Sequence, residues 1–217
     1  MKPVHSITIK AFTVAAAFIM GAILTQAADT TLYKAQPGGK ITIDGTSTIH
    51  DWTVETRIIG GSMEIASDFP VDTSVDKVPE LTEMPKVKAI IPVTTLKSGK
   101  SAMDDIMYDA MNSRTHRLIS YELTKMAPAQ TPRKSGDPLT YNTEGKLTVN
   151  GVTKEVQFPV SIKAKDDRIL EITGKTTVKM TDFSITPPAP KIALGLINTG
   201  DEVIIGLQWL VAKSDKK

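Results

Sequence analysis

Short runs that alternate apolar and polar residues recur along most of the chain, and they predict strands. β-branched residues are frequent in these runs. The extended ranges are 40–43, 48–59, 62–66, 87–94, 118–124, 145–149, 152–163, 168–180 and 202–212. In the last run, five apolar residues share one face at a period of two, namely Val203, Ile205, Leu207, Trp209 and Val211.

Two glycine-containing pairs predict hairpin turns between these runs. Asn150-Gly151 is the preferred pair for a type I′ turn, because both residues tolerate positive φ. Gly60-Gly61 predicts a second hairpin. About eight strands with tight turns are typical of a closed barrel or a sandwich, and the periodicity alone does not choose between them.

One segment has the period of a helix instead. Its apolar residues recur at i, i+3, i+4, i+7 and i+8, namely Met103, Ile106, Met107, Ala110 and Met111. The pattern predicts one short helix over about 102–112, with Ser101 as its N-cap and acidic residues in its first turn.

The first 27 residues have the pattern of a cleavable secretory signal peptide. Lys2 and Lys10 precede an apolar run over 11–24, which is shorter than the roughly 20 residues that a membrane span needs. An uncleaved anchor is the alternative. We expect cleavage near Ala27, a single mature domain over 28–217, and a periplasmic or secreted location. The absence of cysteine excludes a lipoprotein anchor, so we expect no stable membrane anchor after cleavage.

Removal of the signal peptide also changes the charge balance. The full chain has 26 lysines and arginines and 24 acidic residues. The signal peptide contains two of the lysines and no acid, so the mature domain has 24 residues of each sign. The electrostatic argument for a nucleic-acid partner therefore disappears.

Candidate chemistry is sparse in the mature chain. His50 and Asp51 are adjacent, but neighbouring strand residues point to opposite faces, so a hydrogen-bonded histidine beside Trp52 is favoured over a general base. Arg114 and His116 follow the helix and suit an anionic head group, with a solvated turn as the alternative. No metal-ligand spacing, nucleophile elbow or phosphate loop is present. An enzyme that uses His50 or His116 is therefore the weaker hypothesis.

Five blocks of the chain, taken in order, resemble the YceI-like family of lipocalin-like, polyisoprenoid-binding proteins. The most specific is GKLTVNGVTK at 145–154, which is similar to the family hairpin G-x-L-T-[IV]-x-G-V-T-[KR]. The others are DGTSTIHDW at 44–52, LKSGK at 96–100 with the following helix, MTDFSI at 180–185 and TGDEV at 199–203.

The resemblance implies a lipocalin-like, eight-stranded antiparallel β-barrel with a hydrophobic interior, and export to the periplasm. It also implies a long isoprenoid ligand, such as a quinone-type or prenyl-phosphate lipid. Met180 stands where the family often has arginine, and Ser184 where it often has glycine. The missing cation at that block leaves the head-group type open.

These observations together predict a binding protein with no catalysis and no cofactor. The predicted cavity residues are Trp52, Met103, Met107, Met111, Phe158, Phe183 and Trp209. Arg114 and His116 are the head-group candidates. A structural or stress-related interaction module with a filled barrel is the alternative from another class, and a homodimer stays open.

Overall fold

The computed structural model describes residues 29–189 and 197–215, so the predicted signal peptide lies outside the described residues. The strands are β1 Thr30–Ser47, β2 Trp52–Thr56, β3 Gly60–Ala66, β4 Lys86–Pro92, β5 Leu118–Pro128, β6 Leu139–Val149, β7 Val152–Gln157, β8 Val160–Ala164, β9 Ile169–Lys179 and β10 Thr199–Lys213. One α-helix, α1, spans Ser101–Ala110, and two 3₁₀ turns span Val93–Thr95 and Thr181–Phe183. Within the described ranges, no helix has the length and apolar character needed to cross a membrane.

The sheet closes on itself as a barrel. Its strand order is β10-β9-β8-β6-β5-β4-β3-β1, and β1 pairs with β10 to complete the ring. Every pairing in this ring is antiparallel. The predicted eight-stranded antiparallel barrel is therefore confirmed, with β2 and β7 as two additional strands.

β2 continues the line of β3 beside β1, and β7 continues the line of β8 beside β6. β3 pairs with the first part of β1, and β2 pairs with its last part, in nearly the same register. Likewise, β8 and β7 pair with successive parts of β6, and the register between them does not shift. Pro159 lies at the second interruption, where its lack of an N–H group suits a break in the ladder.

The glycine pair Gly60-Gly61 does not form the predicted hairpin turn. Both residues lie inside β3 and pair with Ile90 and Ala89 of β4. Gly61 has a φ of +125°, and a Cβ there would collide with the Lys88 carbonyl oxygen. The glycines therefore allow a close approach of β4 rather than a chain reversal. The predicted strand 48–59 is correspondingly wrong at both ends, because only Trp52–Thr56 is extended.

The other hairpin and the helix agree with the sequence more closely. Asn150 and Gly151 have φ values of 51° and 74° and join β6 to β7, as predicted. The helix ends slightly before the predicted limit of 112, because Asn112 adopts a φ of 48°. Its N-cap is Lys100, and Ser101 is the first helical residue rather than the predicted cap.

Candidate functional site

The barrel encloses a cavity of about 470 Å³. Side chains from all ten strands and from α1 line it, and nearly all of them are apolar. The polar lining residues are Ser47, His50, Lys100, Tyr121, Thr143, Thr176 and Thr199. The barrel end away from α1 is filled by a buried cluster that includes Tyr33, Phe69 and Tyr141. The cavity therefore lies toward the end of the barrel that α1 covers.

The helix α1 covers this end of the barrel, and its side chains fasten it to the segment that leads into its N-terminal end. The Tyr108 hydroxyl donates its one proton to the Leu96 carbonyl oxygen at 2.6 Å, and it lies 3.0 Å from the carbonyl oxygen of Thr94. The buried Asp104 carboxylate accepts hydrogen bonds at 2.7 Å from both the backbone N–H and the hydroxyl of Ser98. These contacts hold the methionine face of the helix over the cavity.

The Asp104 carboxyl is charged despite its burial. Burial alone would raise its pKa, but the two Ser98 hydrogen bonds and the Lys97 ammonium outweigh that effect. The pKa of Asp104 therefore lies below its ordinary value. The Lys97 ammonium lies 3.5 Å from the carboxylate and 5.0 Å from the centre of the Tyr108 ring.

The other end of α1 is fastened through two asparagines. Asn112 Nδ2 donates to Asn150 Oδ1 at 2.8 Å. Asn150 Nδ2 in turn lies 3.2 Å from the Phe183 carbonyl oxygen and 3.3 Å from that of Ser184. The helix, the β6–β7 turn and the second 3₁₀ turn are thus joined beside the cavity.

The structure places all seven predicted cavity residues on the cavity lining. They are Trp52, Met103, Met107, Met111, Phe158, Phe183 and Trp209. Trp52 Nε1 donates to the Thr46 carbonyl oxygen at 3.1 Å, whereas Trp209 Nε1 is buried and has no hydrogen-bond partner among the described residues. Contact of any of the seven with a ligand stays a prediction.

The head-group candidates Arg114 and His116 lie outside this lining. Arg114 is exposed. The His116 ring packs against Gly151 of the β6–β7 turn, and its backbone N–H donates to the Asn112 carbonyl oxygen at 2.8 Å. The structure therefore does not bring these two side chains to the cavity.

Other polar residues border the cavity, and their place in the sequence alone predicts no binding role for them. Lys100 precedes the methionine stripe of α1, and Tyr121 lies between apolar residues of β5. For Lys100, the feature of the sequence that indicates a place beside the cavity is its position at the start of a predicted amphipathic helix. For Tyr121, the signal was its place on the apolar face of an alternating strand.

The geometry around His50 does not form a catalytic pair. His50 lies exposed in the turn after β1, at the border of the cavity, and its Nδ1 lies 2.8 Å from the Asp51 carbonyl oxygen. The Ser47 hydroxyl donates to the His50 backbone carbonyl and not to the imidazole. Over residues 29–189 and 197–215, no three His, Asp or Glu residues are grouped to hold a metal ion.

Comparison with known proteins gives one family. Residues 38–209 match the model of the YceI-like domain. No curated protein matches the chain in sequence.

Solved structures share the fold at low sequence identity. BcnA of Burkholderia cenocepacia is 17% identical with a TM-score of 0.60, over 79% of this chain and 95% of that protein. A polyisoprenoid-binding domain from Saccharophagus degradans, implicated in plant cell wall breakdown, is 9% identical with a TM-score of 0.60, over 86% of this chain and all of that domain. A mutant YceI protein of Campylobacter jejuni is 12% identical with a TM-score of 0.50, over 96% of this chain and all of that protein.

Proposed function

The chain belongs to the YceI-like family, and we propose that it is a non-catalytic binding protein that holds a long apolar lipid inside its barrel. The ligand class is a polyisoprenoid or an isoprenoid quinone. The apolar cavity of about 470 Å³ is the observation that carries this proposal. Its volume lies within the roughly 300–1,000 Å³ typical of ligand pockets.

The chemistry of the lining favours a hydrocarbon chain. Each methylene removed from water contributes about 0.8 kcal/mol, and an isoprenoid chain contains many such groups. Among the described lining residues, Lys100 alone is a lysine, arginine or acidic side chain, and it lies at the helix end. A long apolar chain therefore matches most of the cavity wall, and its insertion leaves no buried charge without a partner.

Two further observations bear on the choice of ligand and on the rival hypotheses. The Saccharophagus domain is a polyisoprenoid-binding domain, and the shared fold supports the same ligand class here. A filled-barrel interaction module would have side chains packed through the interior, which the cavity disfavours. Export to the periplasm or the outside completes the proposal, and it rests on the sequence of residues 1–27.

The direct test is mass spectrometry of an organic extract from the protein purified without added lipid. Titration with a long-chain quinone and a prenyl alcohol then measures binding in solution. Recovery of an isoprenoid, or saturable binding of either compound, is expected. Failure of both measurements would contradict the proposal.

Two adjacent residues of β10 provide a matched pair of variants. Ile205 lines the cavity, whereas Ile204 is 38% exposed on the outer face. Ile205→Trp should fill the cavity and abolish lipid binding, and Ile204→Trp should retain it. Urea unfolding of both variants checks that each is folded. Equal binding by two folded variants would place the lipid outside the barrel.

A further inference from the structure

We propose that the lipid enters the barrel with a neutral, oxygen-bearing head group innermost, and that Trp209 Nε1 donates a hydrogen bond to that oxygen. This inference rests on the proposed lipid-binding function, and it adds the chemistry and the orientation of the head group. Carbonyl oxygens, as in a quinone, or a hydroxyl oxygen satisfy it.

Trp209 provides the main observation. The residue is 2% exposed, it lines the cavity, and its Nε1 has no hydrogen-bond partner among the described residues. An indole N–H can only donate, so its partner must be an acceptor. Buried donors are nearly always paired in folded proteins, because an unpaired one loses its hydration without compensation.

Trp52 provides an internal contrast. It lines the same cavity, but its Nε1 already donates to the Thr46 carbonyl oxygen at 3.1 Å. The described residues therefore supply an acceptor for one indole of the cavity and none for the other. The unpaired indole is the more deeply buried of the two, because Trp52 is only half-buried.

A second unpaired polar group faces the cavity from another strand. Tyr121 lies on β5, which is four strands away from β10 in the ring of eight, so it is on the opposite wall. Its hydroxyl is buried without hydrogen-bond geometry to any described group. The nearby Thr143 hydroxyl donates to the Phe158 carbonyl oxygen instead. An oxygen-bearing head group in the interior would meet polar atoms on both walls.

The distribution of charge selects a neutral head group. A phosphate in the interior would lose its water and find no described cation beside it, since Lys100 lies at the start of α1. Met180, which also lines the cavity, adds an apolar side chain. A carbonyl or hydroxyl oxygen needs only a donor, and Trp209 provides one.

Three probes with the same geranylgeranyl chain test the inference, namely a methyl ketone, the hydrocarbon without oxygen and the diphosphate. The protein is labelled with ¹⁵N-indole tryptophan, which gives two Nε1–H signals, and Trp209→Phe assigns them. The ketone should bind about five- to tenfold more tightly than the hydrocarbon, as one net hydrogen bond provides. Only the Trp209 signal should move downfield, and the Trp52 signal is the control.

The variants separate the hydrogen bond from the apolar contact. Trp209→Phe should lose most of the preference for the ketone, whereas Trp52→Phe should keep it. Tyr121→Phe provides an independent variant if Trp209→Phe does not fold, and it should reduce the preference.

Several results would overturn the inference. Equal binding of ketone and hydrocarbon by the unmodified protein, tighter binding of the diphosphate than of the ketone, or a Trp209 signal already downfield without ligand would each do so. The lipid-binding function would survive all three. Binding of none of the probes would remove the function and the inference together.

Discussion

The asparagine pair at the helix end of the barrel gives a quantitative test of how α1 is held. Asn150 is 8% exposed and makes three hydrogen-bond contacts through its side chain, one of them with Asn112. Both residues have positive φ, at 48° for Asn112 and 51° for Asn150. Glycine at either position therefore removes the side chain without straining the backbone. We predict that Asn150→Gly destabilises the protein more than Asn112→Gly does.

The magnitudes follow from the distances. The 2.8 Å bond between the two side chains is of ordinary length and contributes about 0.5–1.5 kcal/mol net. The contacts at 3.2 and 3.3 Å from Asn150 to the Phe183 and Ser184 carbonyl oxygens are longer, so we count them together as about one further bond. Asn150→Gly should then cost about 2 kcal/mol, and Asn112→Gly about 1 kcal/mol. For a domain of this size, 2 kcal/mol lowers Tm by roughly 4–8 °C.

A double-mutant cycle isolates the bond between the asparagines. Urea unfolding of the original protein, both single variants and the double variant gives four free energies of unfolding. We expect a coupling free energy of about 1 kcal/mol with unchanged m-values. A coupling near zero, or an Asn150→Gly cost below about 0.5 kcal/mol, would show that this network does not hold the helix.

Three further predictions concern single side chains. Ser184 adopts a φ of 55°, so Ser184→Gly should stabilise the protein by about 0.5–1 kcal/mol in urea unfolding, and a loss of stability would contradict this. The lowered pKa of Asp104 means that its stabilisation is present above the ordinary value of 3.8 and is lost as the pH falls through the folded value. Asp104→Asn should therefore destabilise at neutral pH, and in a pH series its difference from the original protein should vanish in acid. Burial raises the pKa of Tyr141 from 10.0 to about 12, so stability should fall as the pH rises through that window. Burial also raises the pKa of Tyr33 and Tyr121, so Tyr141→Phe should reduce the fall rather than remove it, without loss of stability at neutral pH.

The elements that the sequence predicts best are those whose signals are local. The Asn150-Gly151 turn needs two residues that tolerate positive φ, and the helix needs only its apolar stripe. The same reasoning explains why the predicted inward face of the last strand agrees with the structure, since Val203, Trp209 and Val211 are all buried. Local backbone preference and burial agree at these positions.

The errors occur where a local signal has two structural meanings. Residues 30–39 were not assigned to a strand, yet they form the first half of β1. Residues 37–39, which are Pro-Gly-Gly, indicate a break, but the structure accommodates them as an irregularity opposite β10 between Gln36 and Lys40. A glycine pair indicates either a turn or a close backbone approach, and only the position of β4 shows which applies at Gly60-Gly61.

The candidate site shows the same limit. Alternation and the helical stripe predict which side chains face inward, and all seven cavity candidates do so. They do not predict whether the inward-facing side chains of opposite strands touch one another. The cavity volume depends on the packing of the whole ring. Nor do they show which polar residues beside α1 reach the cavity. Arg114 and His116 follow the C-terminal end, which is fastened to the β6–β7 turn, whereas Lys100 at the N-terminal end lines the cavity.

Two interruptions of the sheet mark the end of the barrel that α1 covers, opposite the end that Tyr33, Phe69 and Tyr141 fill. The interruptions lie four strands apart in the ring, between β2 and β3 on one wall and between β7 and β8 on the opposite wall. Beyond the interruptions, β2 still pairs with β1, and β7 still pairs with β6. The other edges of β2 and β7 do not join the ladders of β4 and β9. The segment around Val93–Thr95 then completes the first wall through the pairing of Glu55 with Lys97, and Thr181–Phe183 packs beside β7 on the second. The ladder of the ring is therefore interrupted on two opposite walls at the end where α1 lies, and α1 covers the cavity there.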